Sequence, residues 1–191
     1  MPQVAGAGMA GIAATLCLVG CGPLGKVEQG RVIAYDRQTR QVTLIREAAV
    51  ATRSSPGVLP PVTIDAPADP NEMGPAPVAG GRLLLDIKNR RIVVYDRATG
   101  TFRTIQYTPV AERYNVAKSP GPPVVDRTGK TITLYAAKDR AVITFAASDD
   151  LLAMPVSTWQ AGDVVRYYYR DPGRALRLMN VTRTDLTKAV G

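Results

Sequence analysis

Apolar and polar residues alternate along four stretches of this chain, and each stretch is interrupted midway by a short polar run. The stretches are Gly30 to Arg46, Arg90 to Tyr107, Gly129 to Ala146 and Gly162 to Val181. Each places β-branched and aromatic residues on both sides of a polar turn, which predicts four β-hairpins. A further strand is predicted over Arg82 to Asp86, leading into the second hairpin. In the last hairpin Val165, Tyr167 and Tyr169 fall on one face and are assigned to a core, while Arg166 and Arg170 point away. Val42 to Ile45 and Ile92 to Tyr95 are apolar on both faces, so these strands should be covered on both sides. The predicted fold is therefore all-β, with antiparallel hairpins forming a small barrel or a sandwich.

Helix is scarce. Asp149 to Ala153 is predicted to make one turn with Ser148 or Asp149 as its cap, and Pro109 to open a second helix running to Val116. Residues 54–81 hold seven prolines and read as a long loop with a short edge strand at Val62 to Ile64. Tyr35-Asp36-Arg37-Gln38-Thr39 and Tyr95-Asp96-Arg97-Ala98-Thr99 share a pattern in which Asp accepts hydrogen bonds from turn amides. Shared turn chemistry explains it better than internal duplication, because the flanking sequences do not align.

The first 20 residues carry no charged side chain, and Ile12 to Val19 is their most apolar run. Rich in glycine and short, the segment suits an export signal better than a permanent span, which needs about 20 apolar residues. Leu18-Val19-Gly20-Cys21 resembles the lipobox of bacterial lipoproteins at all four positions. That resemblance implies cleavage between Gly20 and Cys21 and acylation at Cys21, whose thiol is a strong nucleophile. The domain organisation that follows is a signal peptide over 1–20, a lipidated tether over 21–29, a β-rich domain over 30–185 and a tail over 186–191. Gly22 in place of Asp after the cysteine implies sorting to the outer membrane, with the protein facing the periplasm.

Several stretches resemble an uncharacterised family of lipoproteins associated with sulfate-reducing bacteria: Gly25 to Tyr35, Asp69 to Pro75, Arg91 to Ile105, Trp159 to Arg166 and Ala175 to Asp185. Membership implies a lipidated envelope protein and supplies no catalytic residues. Ala161 to Arg166 is also similar to the closing hairpin of small periplasmic OB-like barrels.

Composition narrows the chemistry. The chain of 191 residues has no histidine, which removes histidine-based nucleophilic triads and imidazole metal sites. Its two cysteines, Cys17 and Cys21, both lie at the export signal, so the folded part holds no disulfide. The net charge of +8 favours anionic neighbours, although the charges are dispersed as on an ordinary solvated surface. Asp65, Asp69, Asn71 and Glu72 supply oxygen ligands at a density that could hold Ca²⁺, but their spacing fits no established loop, and an exposed acidic turn is the simpler account. Trp159 with Tyr167 to Tyr169 offers either a sugar-stacking platform or a core plug.

A non-catalytic envelope protein is expected, without cofactor or metal. It would be held at the membrane by its lipid and partnered by an envelope protein or polysaccharide rather than nucleic acid. A polyanion-binding or polysaccharide-binding module is the alternative, and a carboxylate-based hydrolase a weaker one.

Overall fold

The computed structural model describes residues 24–46 and 60–184. The expected signal peptide over 1–20, Gly20, Cys21, residues 54–59 of the proline-rich loop and the tail over 186–191 lie outside the described residues.

Twelve strands run in chain order: β1 Lys26–Asp36, β2 Gln41–Arg46, β3 Val62–Asp65, β4 Arg82–Asp86, β5 Arg91–Asp96, β6 Thr101–Gln106, β7 Pro109–Arg113, β8 Val124–Asp126, β9 Thr131–Ala136, β10 Ala141–Ala146, β11 Val164–Tyr169 and β12 Ala175–Asn180. Two one-turn helices, α1 Asp149–Leu152 and α2 Val156–Trp159, precede β11. The strands form an antiparallel five-stranded sheet of order β12-β11-β1-β2-β3, a four-stranded sheet β7-β10-β9-β8 and a three-stranded sheet β4-β5-β6. None closes into a barrel, so the all-β expectation is met by layered open sheets.

One turn design builds most of the hairpins. Asp36, Asp86, Asp96 and Asp126 each end a strand, and each accepts a hydrogen bond from the amide two or three residues on. The residue four places after each of these aspartates adopts positive φ: Arg40 at 60°, Arg90 at 51°, Gly100 at 68° and Lys130 at 50°. The β9–β10 connection ends the same way at Arg140, with φ 50°, but starts from Ala136. The carboxylate replaces the water that turn amides would otherwise bind, which offsets the cost of a left-handed conformation at a residue with a Cβ. The geometry recurs in all three sheets with different flanking sequences, as shared turn chemistry requires.

The three-stranded sheet lies between the other two, and β5 is its middle strand. Ile92 and Val94 pack with Ile132, Leu134, Ile143 and Phe145 of the four-stranded sheet. Val93 and Tyr95 pack on the opposite side with Ile33 and Ile45 of the five-stranded sheet. Both faces of β5 are thus buried, as its unbroken apolar run requires. The remaining face of the five-stranded sheet gathers Val32, Leu44, Ile64, Val165, Tyr167 and Leu178 into a third core. Val165, Tyr167 and Tyr169 share that side, as the alternation predicts.

The layers are joined by backbone. Val32 of β1 donates its amide to Asp163 O at 2.9 Å and accepts from Gly80 N at 3.1 Å. Gly81 N binds Ser157 O of α2, Arg82 N binds Gln160 O, and Tyr95 N binds Gly81 O, so the segment leading into β4 is stitched to both neighbours. A Cβ on Gly162 would stand 1.9 Å from Val32 O, and one on Gly80 would stand 2.2 Å from Gln160 O. The Asp163 carboxylate closes the junction, accepting from Val78 N at 2.9 Å, Asn180 Nδ2 at 2.9 Å and Arg183 Nε at 2.7 Å.

Two expectations need correction, and one element was not predicted. The tether ends earlier than residue 29, because Lys26 to Gln29 already pair with β11. The helix over 109–116 is instead β7, with Pro109 opening the edge strand of the four-stranded sheet, where its missing N–H costs no interior ladder bond. The chain over 156–159, not predicted as helix, forms α2. The edge strand near Val62 and the helical turn at Asp149 stand as predicted.

Gly162→Ala and Gly80→Ala should each destabilise the protein by about 3 kcal/mol or prevent folding, because the obstructing atoms are backbone and cannot step aside. Urea unfolding monitored by the fluorescence of buried Trp159 measures this; a loss under about 1 kcal/mol in both variants would contradict the junction's role.

Candidate functional site

Along β1 one face of the five-stranded sheet passes from open to covered. Val27 and Gln29 lie on the outer face, Arg31 follows, and Ile33 is buried against the three-stranded sheet. The middle layer covers only part of this face and leaves the end nearest the amino terminus uncovered. There Val27, Tyr168, Leu176 and Met179 line an open groove of about 630 Å³ with Glu72, Arg166 and Arg177. Val27 and Leu176 are 62% and 40% exposed.

Register explains the grouping. Tyr168 pairs with Val27 on one side and Arg177 on the other, and Arg166 pairs with Gln29 and Met179. Arg166 donates to Gln29 Oε1 from both Nε, at 3.1 Å, and Nη2, at 2.9 Å. Arg177 is held by Glu72, with Nη2 donating to Oε1 at 3.1 Å and a second bond from Nε. That pairing holds the Glu72 carboxyl below its ordinary value and the guanidinium above its own. The Tyr168 ring lies over the Gly25 backbone, where a Cβ would meet its ring atoms at 2.2 Å.

Behind the groove, on the core side of the same strands, Glu28 accepts from Tyr167 Oη at 2.7 Å and Tyr169 Oη at 3.0 Å. The two rings stack with centroids 5.5 Å apart. The Tyr167 hydroxyl is the largest influence on Glu28; with Tyr169 and Arg46 it outweighs desolvation and lowers the carboxyl's pKa. Burial first, then the Glu28 hydrogen bond, raises the pKa of Tyr167.

The residues singled out from sequence separate in space. Asp65 lies on exposed β3 and accepts from Gln41 Nε2 at 3.3 Å. Asp69 caps the 3₁₀ turn Pro70–Glu72 by accepting from Asn71 N at 2.9 Å. Asn71 is exposed, and among these four only Glu72 reaches the groove. Among the described residues no cluster of three or more carboxylates could hold a metal ion. Trp159 is fully buried beside Phe145, with ring centroids 6.0 Å apart, so it plugs the core and offers no face to a sugar. Arg166, Arg177 and Val27 were missed as a group because strand pairing alone brings them together; the polar-apolar mixture on the outer face of β11 was the available signal.

The groove thus has an apolar floor with Arg166 at one side and the Arg177–Glu72 ion pair at the other. The fold is a layered antiparallel β-protein with an open groove beside the start of β1. The chain belongs to the family described as "Domain of unknown function (DUF4881)", whose model matches residues 23–189. No curated protein and no solved structure matches the chain.

The Glu28 network gives stability a defined pH window. Glu28, with its folded pKa below the ordinary 4.5, contributes stability that is present above pH 4.5 and is lost as pH falls through the lowered value. Tyr167, raised above its ordinary 10.0, contributes stability that is complete below pH 10 and is lost as pH rises through the raised value. Tyr167→Phe should cost about 1 kcal/mol at neutral pH, move acid unfolding to higher pH and flatten the alkaline decline. Urea midpoints measured across the pH range would show this; coincident profiles for the two proteins would refute the coupling.

Proposed function

We propose that this protein is a lipid-anchored component of the bacterial cell envelope with a non-catalytic binding role, exposing its groove to another envelope component. The observation that carries the reading is the Leu18-Val19-Gly20-Cys21 lipobox, four residues ahead of Gly25, over which Tyr168 packs. Four residues span at most about 14 Å, so acyl chains on Cys21 would hold the groove end of the sheet close to the bilayer. Several acyl chains make such an anchor effectively permanent, at about 0.8 kcal/mol per buried CH₂.

The use of carboxylates supports a non-catalytic role. Those of Asp36, Asp86, Asp96 and Asp126 bind turn amides, Glu72 binds Arg177, Asp150 binds Arg103, and Asp163 binds Arg183. A carboxylate held this way has its lone pairs occupied and is poorly placed as a general acid. The outer membrane, facing the periplasm, is the proposed location.

Binding of a polyanion or an acidic polysaccharide is the second reading, favoured by the net charge of +8 and by Arg166 and Arg177 beside the groove.

Mass spectrometry of the protein from its native membrane should find residues 1–20 absent and Cys21 carrying diacylglycerol. Cys21→Ser should leave the protein unacylated. An unmodified Cys21 thiol in the native protein, or cleavage elsewhere, would overturn the proposal.

A further inference from the structure

The uncovered end of the five-stranded sheet gathers apolar side chains rather than scattering them. Leu24, just before β1, is 94% exposed, and Val27 and Leu176 follow at 62% and 40%. Tyr168 pairs with Val27 in register, and Leu176 and Met179 extend the same floor onto β12. Single exposed apolar residues are ordinary, but a contiguous patch on an open sheet face marks a surface that meets a partner.

The rim of the patch is basic. Arg166 is bonded to the neutral side chain of Gln29, and no carboxylate pairs with it among the described residues. Arg170 is exposed and donates from Nε to Tyr168 Oη at 3.4 Å, which sets a second cation at the outer tip of that ring. Of the acids around the patch, Glu72 is held by Arg177, Glu28 faces the core side with Tyr167 and Tyr169, and Asp171 follows Arg170 in the β11–β12 connection.

Apolar residues with a tyrosine among them and arginines at the rim match the boundary of a bilayer. Tyrosine favours the headgroup level, and arginine lays its stem along apolar surface while its guanidinium forks onto phosphate. Position along the chain selects the same partner. Leu24 comes three residues after Cys21, a span of at most about 11 Å. A protein segment seated in the groove would have to enter beside the anchored end of the sheet, whereas lipid is already there.

We propose that this end of the sheet is a membrane-docking surface for anionic phospholipid, with Leu24, Val27, Tyr168, Leu176 and Met179 covered by lipid and Arg166 and Arg170 on lipid phosphates. The inference rests on the lipid anchor proposed above and names the envelope component that the groove meets. It adds an orientation: a tether alone lets the body turn freely, and a second contact through the sheet fixes which end faces the bilayer.

The test is photolabelling of the protein purified from its native membrane and reconstituted in vesicles of equal parts phosphatidylethanolamine and phosphatidylglycerol, doped with a phosphatidylcholine that carries a diazirine on its acyl chain. Mass spectrometry of the same sample reads the state of Cys21 and maps the labels. Leu24 is labelled by virtue of the tether alone, so Tyr168 and Leu176, remote from it in sequence, decide. Both should be labelled strongly. Val110 should be labelled weakly; it is as exposed as Val27 but lies on the edge strand of the four-stranded sheet. Replacing phosphatidylglycerol by phosphatidylcholine should lower labelling at Tyr168 and Leu176 about threefold or more, since each basic side chain beside an anionic bilayer is worth a several-fold shift. Arg166→Glu on the anionic vesicles should do the same, and the change of lipid tests the point without a variant. With Cys21 acylated, labels confined to the vicinity of Leu24, or equal at Val110 and Leu176, would overturn the docking surface and leave the anchor standing. Labelling that ignores both phosphatidylglycerol and Arg166→Glu would overturn the assignment to anionic lipid. An unmodified Cys21 would overturn the anchor and the docking surface together.

Discussion

Three stretches of backbone meet at Val32, Gly80 and Gly162 with no space for a side chain between them, and the layers depend on that meeting. β1 is the central strand of the five-stranded sheet, so fixing Val32 fixes the sheet. The segment holding Gly80 and Gly81 runs directly into β4, which sets where the middle layer begins. Because the middle layer starts there, it covers Ile33 and leaves Val27 bare. The open groove is thus a consequence of one backbone crossing and lies on the uncovered end of the face.

Electrostatics follows the same division. Most acidic groups are engaged locally, by turn amides or by a single arginine, and contribute to folding rather than to an outward field. The net charge of +8 is spread over the chain, with Arg166 beside the groove and Arg177 there paired to Glu72. A body built this way repels other cations and attracts anionic surfaces over about one Debye length, near 8 Å at physiological salt.

Much of the architecture could be read from local pattern. The four hairpins, the strand at Arg82 and the two-sided burial of β5 follow from period-two alternation and from unbroken apolar runs, both properties of neighbouring residues. β7 could not be read, because Pro109 suits the start of a helix and the start of an edge strand equally well, and only its neighbour β10 decides between them. β8, three residues long, carries too little alternation to register. The sites were least legible. Asp163 binds Val78 across 85 positions, so its chemistry appears only once the layers are stacked. Trp159 shows the same limit in reverse: an aromatic that reads as either platform or plug is settled as a plug by the two sheets that close over it.

The central claim is that the three sheets form one cooperative body held at the backbone junction. Native-state hydrogen exchange at the amides of Val32, Gly80 and Asp163 tests it most directly. The account predicts that these amides exchange only through global unfolding, with the same opening free energy as the core strands at Val94 and Ile143. Exchange at the junction through a smaller opening, with the five-stranded sheet released while the other two stay protected, would contradict it.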